Sequence, residues 1–116
     1  MTPRIAVVDD EPRMARVLAM LLRREGYEVE AFEAPAAFLA AFEQQRFDLV
    51  MTDLKMPEMS GIELLAELRE RDHGDDVPVI VMTAHGTIQT AIEAMKLGAL
   101  AFVEKPFDND ACKVLV

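Results

Sequence analysis

Five short strand-like segments alternate with segments of helical periodicity along the 116-residue chain. They are rich in β-branched residues and too short for buried helices, which favours strands. The segments cover residues 5–8, 28–32, 47–52, 79–82 and 100–103. Strands that alternate with helices form a parallel sheet with right-handed crossovers and helices on both faces. The sequence therefore predicts one α/β domain, and residues 28–32, which alternate polar and apolar, predict an edge strand.

Local signals indicate where the helices begin and end. Pro12 and Pro35 suit the first turn of a helix, and Ser60 with Glu63 has the spacing of a capping box. Gly26 and Gly98 are typical of residues that follow a helix. Apolar residues recur at helical spacing between these signals: Met14, Val17, Leu18, Leu21 and Leu22; Phe38, Leu39 and Phe42; Ile62, Leu65 and Leu68; Ile88, Ala91, Ile92 and Met95.

A last helix is predicted to begin near residues 108–110 and breaks off at Val116 without a stop signal. About two turns of helix fit in that length. We therefore expect residues 1–116 to be a single domain and the N-terminal fragment of a longer protein.

Composition excludes several classes of function. The net charge of −9 makes direct binding to DNA or RNA unfavourable, because phosphate backbones repel an acidic surface. No apolar run approaches the roughly 20 residues of a membrane helix, and the N-terminus lacks the pattern of a signal peptide. Cys112 is the only cysteine, so the chain has neither an internal disulfide nor a cysteine-cluster metal site. These features predict a cytoplasmic domain.

Polar side chains follow four of the predicted strands at the point where each strand ends. Asp9, Asp10, Asp53, Thr83 and Lys105 supply three carboxylates, a hydroxyl and an ammonium group. Since parallel strands end at one edge of a sheet, we expect these groups to meet there, at the edge where open α/β sheets bind ligands.

The charges of this group favour phosphoryl chemistry. Carboxylates this close repel each other unless a cation neutralises them, and Mg²⁺ binds one or two carboxylates together with phosphate oxygens. Lys105 supplies a second positive charge. A carboxylate such as Asp53 beside both is suited to attack phosphorus, while Mg²⁺, Lys105 and the Thr83 hydroxyl share the charge of the phosphoryl oxygens.

The same segments resemble the receiver domain of two-component response regulators. The resemblance rests on residues 8–11 (Val-Asp-Asp-Glu), 53–57 (Asp-Leu-Lys-Met-Pro) with Gly61, 82–84 (Met-Thr-Ala) and 102–107 (Phe-Val-Glu-Lys-Pro-Phe). It covers essentially the whole chain, with matching order and spacing. It implies a flavodoxin-like (CheY-like), doubly wound sheet of five parallel strands in the order 2-1-3-4-5, with helices on both faces.

The resemblance also implies a role for each residue around the metal. Asp53 corresponds to the phospho-accepting aspartate. Asp10, Asp53 and the backbone carbonyl of Lys55 correspond to direct Mg²⁺ ligands, and Asp9 to a ligand that acts through a metal-bound water.

Other residues correspond to those that hold the phosphoryl group and report its presence. Thr83 and Lys105 resemble the pair that grips it, and Phe102 resembles the aromatic residue that turns inward when the threonine moves. Lys55 and His85 occupy positions that tune phosphoryl lifetime. The family also leads us to expect a cis bond between Lys105 and Pro106.

The function that the resemblance implies is a phospho-acceptor switch rather than an enzyme that turns over external substrates. A sensor histidine kinase would phosphorylate Asp53, autodephosphorylation would be slow, and the rearrangement of Thr83 and Phe102 would alter the surface near the fourth helix and fifth strand. That surface would control a C-terminal output domain, and we expect it to mediate homodimer formation. Residues 82–99 are most similar to NtrC-type regulators, which carry an ATPase domain acting on sigma-54 polymerase and a DNA-binding domain.

Three alternatives remain open from the residues. A phosphatase of the haloacid dehalogenase type also uses an aspartate after a strand, but it requires a second acid where this chain has Lys55. A flavin- or nucleotide-binding module would require a Ser/Thr/Gly-rich phosphate loop, and the first strand is instead followed by Asp9, Asp10 and Glu11. A receiver that no longer accepts phosphate would lack part of the group described above, all of which is present.

Overall fold

A computed structural model describes residues 2–71, 77–83 and 86–104 of the chain. Strands and helices alternate within these ranges, as the sequence predicts. The elements are β1 (Arg4–Val8), α1 (Pro12–Arg24), β2 (Glu28–Phe32), α2 (Pro35–Gln44), β3 (Leu49–Asp53), α3 (Gly61–Arg69), β4 (Val79–Thr83), α4 (Ile88–Lys96) and β5 (Ala101–Glu104). The helix predicted near residues 108–110 lies outside the described residues.

The five strands form one parallel sheet in the order β2-β1-β3-β4-β5. The predicted fold class and strand order are thereby confirmed. The chain leaves β1 towards β2 on one side and later returns to place β3 on the other side, so the strand order reverses between these two strands. Ligands of open α/β sheets bind outside the carboxyl ends of the strands at such a reversal. Val8 is paired with Thr52 there, which brings Asp9 and Asp53 side by side in register.

The core lies on both faces of the sheet because successive side chains of a strand point to opposite faces. In β1, Ile5 and Val7 pack on the face covered by α1, whereas Ala6 and Val8 pack on the face covered by α2 and α3. All residues of β3 and β4 are buried, while β2 at the edge is mostly exposed. No helix in the described ranges is sufficiently long and apolar to cross a membrane.

The predicted helix signals are present in the structure. Proline stands in the first turn of α1 and of α2, and Ser60 and Glu63 form a reciprocal capping box at the start of α3. Gly26 follows α1 with a φ of 97°, a conformation that glycine adopts without strain. A second capping box, between Thr87 and Thr90, starts α4 and was not predicted.

Some predicted boundaries and buried positions differ from the structure. The third strand covers Leu49–Asp53 rather than residues 47–52, because pairing with β1 begins at Leu49 and pairing with β4 extends to Asp53. The fifth strand is likewise displaced by one residue, to Ala101–Glu104. In α3, Leu64 is fully buried and Ile62 only half-buried, because this helix turns a broader face to the core than the pattern indicated.

The apolar stripe of α4 is largely exposed, although its spacing resembles that of a core-facing helix. The exposed fractions are 82% for Ile88, 44% for Ile92 and 51% for Met95, and Ala94 is the buried residue of this helix. Leu100, just before β5, is 57% exposed. The fourth helix therefore presents an apolar surface next to the fifth strand.

Arg69 connects the end of α3 to the end of α4 and the start of β4. Its guanidinium donates hydrogen bonds to the carbonyl oxygens of Leu97 (3.0 Å), Gly98 (3.0 Å) and Val77 (2.8 Å). Two of these carbonyls lie just beyond the C-terminus of α4, where the helix dipole favours a positive charge. Arg69 therefore holds the C-terminal end of α4 against the body of the domain.

We expect Arg69→Met to lower the free energy of unfolding by about 2 kcal/mol, since charged hydrogen bonds to three carbonyls, two of them partly buried, are lost. Urea denaturation followed by circular dichroism measures this loss. Arg71→Met is the matched control, because Arg71 makes partly exposed ion pairs with Glu43 and Glu67 that contribute little. Equal effects of the two substitutions would contradict the role given to Arg69.

Candidate functional site

Three aspartates meet at the carboxyl edge of the sheet. Asp9 follows β1 and Asp53 ends β3, and each has one carboxylate oxygen within 4.8 Å of the other and of an oxygen of Asp10. Asp9 is fully buried, Asp53 is 8% exposed, and Asp10 is exposed. The structure therefore brings together the three carboxylates that the sequence predicts at this edge.

Backbone groups fix the position of Asp9. Its N–H donates to the carbonyl oxygen of Phe32 at 3.0 Å, which continues the pairing of β1 with β2 past the last strand residue. Its Oδ1 accepts a hydrogen bond from the backbone N–H of Glu11 at 2.9 Å. The same carboxylate therefore shapes the turn that leads into α1 and lies beside Asp53.

Hydrogen bonds around the end of β3 fix the backbone at Asp53. The N–H of Leu54 donates to the carbonyl oxygen of Met82 (2.7 Å), and the Thr52 hydroxyl donates to the carbonyl oxygen of Asp53 (3.0 Å). The N–H of Gly61 donates to the carbonyl oxygen of Leu54 at 2.7 Å. These bonds hold the turn between β3 and α3 close to the end of the strand.

Gly61 can approach Asp53 this closely only because it has no side chain. A Cβ atom at this position would lie 2.4 Å from the backbone oxygen of Asp53 and 3.1 Å from the Cα of Leu54. Both are backbone atoms, which cannot move aside without disturbing β3. The predicted turn after Asp53 therefore depends on glycine at position 61 for steric reasons.

The donor set of this site fits a magnesium ion. Mg²⁺ prefers oxygen ligands at 2.0–2.1 Å and usually retains several waters. Carboxylate oxygens within 4.8 Å of one another can belong to one such coordination sphere, some of them through water. Lys55 is exposed, and it lines a groove together with Asp10 between the β3–α3 turn and α4.

Thr83 and Phe102 lie on the neighbouring strands. Asp53 is paired with Met82, so Thr83 lies one residue further along β4, and it is 1% exposed. Phe102 of β5 is paired with Val81 of β4. It is half-buried and packs against the core on the face covered by α2 and α3. The predicted switch residues therefore lie on adjacent strands, and Thr83 lies beside the end of β3.

Several predicted site residues lie outside the described residues. These are Lys105, His85 and the bond between Lys105 and Pro106, so their predicted roles stay predictions. Sequence reasoning did not single out Thr52 or Gly86, both of which contact residues of the site. The sequence signal for Gly86 was a glycine three residues after Thr83 and two residues before α4.

Comparisons with known proteins agree with this geometry. Residues 5–116 match a family described as response regulator receiver domain. The transcriptional regulatory protein FixJ of Rhizobium meliloti is 43% identical over 105 residues, which are 90% of this chain and 50% of FixJ. The transcriptional regulatory protein GlrR of Escherichia coli is 40% identical over 107 residues, which are 92% of this chain and 24% of GlrR.

Among solved structures, the beryllofluoride-activated NtrC4 receiver domain dimer superposes with a TM-score of 0.89 at 31% identity, covering 96% of this chain and 90% of that one. Receivers of the NtrC type are thus among the similar proteins, as residues 82–99 predicted. The chain spans half or less of the length of the two curated relatives described above.

We expect Asp10→Asn to weaken Mg²⁺ binding by more than about tenfold, because the resemblance assigns Asp10 as a direct ligand of the ion and the substitution removes its charged oxygen. Asp9→Asn should weaken binding less. Isothermal titration calorimetry with MgCl₂ measures both. Glu11→Gln is the matched control, since it removes the same charge from an exposed neighbour outside the acidic cluster. Unchanged affinity in both aspartate variants would refute the metal site.

Proposed function

This chain belongs to the response regulator receiver domain family, and we propose that it is a phospho-acceptor switch in which Asp53 receives a phosphoryl group from a sensor histidine kinase. One observation carries this proposal. Asp53 ends a fully buried strand with its carboxylate beside those of Asp9 and Asp10, at the edge where the fold binds ligands. A carboxylate at such an edge is fixed in position at the place where the fold binds ligands.

The reaction that we propose is the transfer of one phosphoryl group. A carboxylate oxygen of Asp53 forms a bond to phosphorus while the bond from phosphorus to the kinase imidazole nitrogen breaks, and the imidazole keeps the electron pair. Mg²⁺, when bound, supplies positive charge to the oxygens of the phosphoryl group. Asp10, Asp53 and the Lys55 carbonyl would bind the ion directly, and Asp9 would bind it through water. The role of Asp9 is supported by its burial and by its bond to the Glu11 N–H, which keep it in place.

Thr83 and Lys105 would bind the phosphoryl oxygens once the group is attached. The support for Thr83 is its burial at the end of the strand next to β3. Movement of Thr83 towards the phosphoryl group would change the packing around Phe102. The surroundings of Phe102 would then have two packings of similar free energy, and the attached phosphoryl group would favour one of them.

The output that we propose is a change in the surface formed by α4 and β5. Its exposed apolar residues are Ile88, Ile92, Met95 and Leu100. Exposed large apolar residues, when they lie together, are typical of protein–protein contact sites. We propose that it mediates homodimer formation and contact with a C-terminal output domain. If the longer protein is an NtrC-type regulator, that domain is an ATPase acting on sigma-54 polymerase. The relatives named as transcriptional regulators support a role in transcription.

We propose that the domain does not turn over external substrates. A phosphatase of the haloacid dehalogenase type would need an acid two residues after Asp53, and Lys55 occupies that position with an exposed side chain. Hydrolysis of the domain's own aspartyl phosphate would be slow, with Lys55 and His85 tuning its rate.

We expect incubation with acetyl phosphate and Mg²⁺ to add the mass of one phosphoryl group to the wild-type protein and none to Asp53→Asn. Intact-mass spectrometry measures the addition. Asp48→Asn is the matched control, because it removes a carboxylate from the opposite end of the same segment, where Asp48 accepts a hydrogen bond from the Arg4 N–H. Equal phosphate uptake by the wild type and the Asp53 variant would contradict the assignment.

We expect Met95→Glu to weaken dimer formation by the beryllofluoride-treated protein, because it puts a charge into the apolar surface of α4. Analytical ultracentrifugation measures the monomer–dimer equilibrium. Met20→Glu on α1 is a close control, since Met20 is 50% exposed and Met95 is 51% exposed. A dimer that tolerates the α4 substitution and is lost with the α1 substitution would place the interface on α1 instead.

A further inference from the structure

Gly86 lies beside both predicted switch residues and two positions before the first residue of α4. A Cβ atom at position 86 would lie 2.7 Å from Cε1 of Phe102 and 2.8 Å from Cγ2 of Thr83. It would also lie 3.1 Å from Cζ of Phe102. Contacts below 3.0 Å between such atoms are excluded by van der Waals repulsion. The volume that a side chain would occupy at position 86 is therefore already filled by Thr83 and Phe102.

The requirement for glycine here is steric and not conformational. Among the described glycines, Gly26 and Gly98 have the positive φ angles that favour glycine, and Gly86 does not. An alanine at position 86 would be free of backbone strain, so its effect would come from its contacts with Thr83 and Phe102. This separates Gly86 from Gly61, whose neighbours are backbone atoms.

The position of Gly86 in the chain gives these contacts a consequence. Thr87, the next residue, caps α4 through its reciprocal bonds with Thr90. Any displacement of Gly86 therefore moves the first turn of α4. The other end of the helix is held by the hydrogen bonds of Arg69 to the carbonyls of Leu97 and Gly98. A push at residue 86 would tilt α4 about its C-terminal end.

We infer that Gly86 is a positioning residue of the switch, whose missing side chain lets Thr83 and Phe102 pack against the backbone that starts α4. A movement of Thr83 changes the space beside Gly86, and Phe102 and the first turn of α4 respond to that change. This inference rests on the proposed function for the event that moves Thr83. The packing itself does not depend on phosphorylation.

The test uses protein labelled with 4-fluorophenylalanine and studied by fluorine NMR. The resonance of residue 102 is assigned from its absence in Phe102→Leu. In Gly86→Ala without any ligand, we expect this resonance to shift, because the added methyl group takes the place of the ring edge. The melting temperature should fall by roughly 5 °C, the size expected for one extra methyl group in a filled space of a small domain. A resonance at the wild-type position would overturn the inference.

Two backgrounds show whether the added methyl group acts through these contacts. Thr83→Ser retains the hydroxyl and removes Cγ2, so Gly86→Ala should cost less stability in that background. When Thr83→Ser and Phe102→Leu are both present, Gly86→Ala should cost almost no stability. This holds even if the single variant does not fold, because the combined variant should then regain a folded state. An equal loss of stability in all backgrounds would show that the methyl group meets something else and would overturn the inference.

Beryllofluoride with Mg²⁺ then tests the switch in the same samples. Bound beryllofluoride has its own fluorine resonances, which report occupancy at Asp53 separately from residue 102. In Gly86→Ala we expect occupancy with a reduced shift of the residue 102 resonance, whereas a merely structural role would leave that response at its wild-type size. Absence of bound beryllofluoride in the wild type would contradict the proposed function, and the ligand-free shift and the stability comparison would still decide the role of Gly86.

Discussion

The repulsion between carboxylates at one edge of the sheet is the constraint around which this domain is built. Asp9 and Asp53 are buried with oxygens within 4.8 Å of each other. At an effective dielectric constant of about 20, two such charges repel each other by roughly 3 kcal/mol. The fold holds them together because the parallel register of β1 and β3 places the residues after Val8 and Thr52 side by side. A cation at this edge would lower that repulsion, which is the role proposed above for Mg²⁺.

Absent side chains shape the surroundings of the acidic site as much as the charged ones do. Gly61 lets the turn after β3 lie against the backbone of Asp53. Gly86 lets the backbone at residue 86 lie against Thr83 and Phe102. In both places a methyl group would occupy filled space. The first contact holds Asp53 rigidly, because it involves backbone atoms. The second involves side-chain atoms that can rotate, which is where a packing change is least costly.

The two ends of α4 differ in a way that suits a moving element. Its C-terminal end is tied to α3 through Arg69, and its N-terminal end follows Gly86 and is capped by residues of its own first turn. The helix contributes a single buried residue, Ala94, to the core. An element with few buried contacts opens or shifts at low cost in free energy. The apolar surface that this helix exposes would move with it.

The sequence by itself determined the element types, their order and the residues at the strand ends. Strand and helix periodicity, capping residues and turn glycines are local signals, so they can be read without knowing the neighbours. The place of Asp9, Asp10, Asp53 and Thr83 at one edge followed from the rule that parallel strands end together. Lys105 was predicted there by the same rule and lies beyond the described residues.

Only the tertiary structure decided which contacts cross between elements. The stripe of α4 has the spacing of a buried face, yet Ile88 is mostly exposed, because burial depends on what packs against a helix and not on its periodicity. The hydrogen bonds of Arg69 join residues that are far apart in the chain. The contacts of Gly86 depend on how closely the backbone at residue 86 approaches two neighbouring strands. Periodicity predicts which side chains share a face, and tertiary packing determines which residues that face contacts.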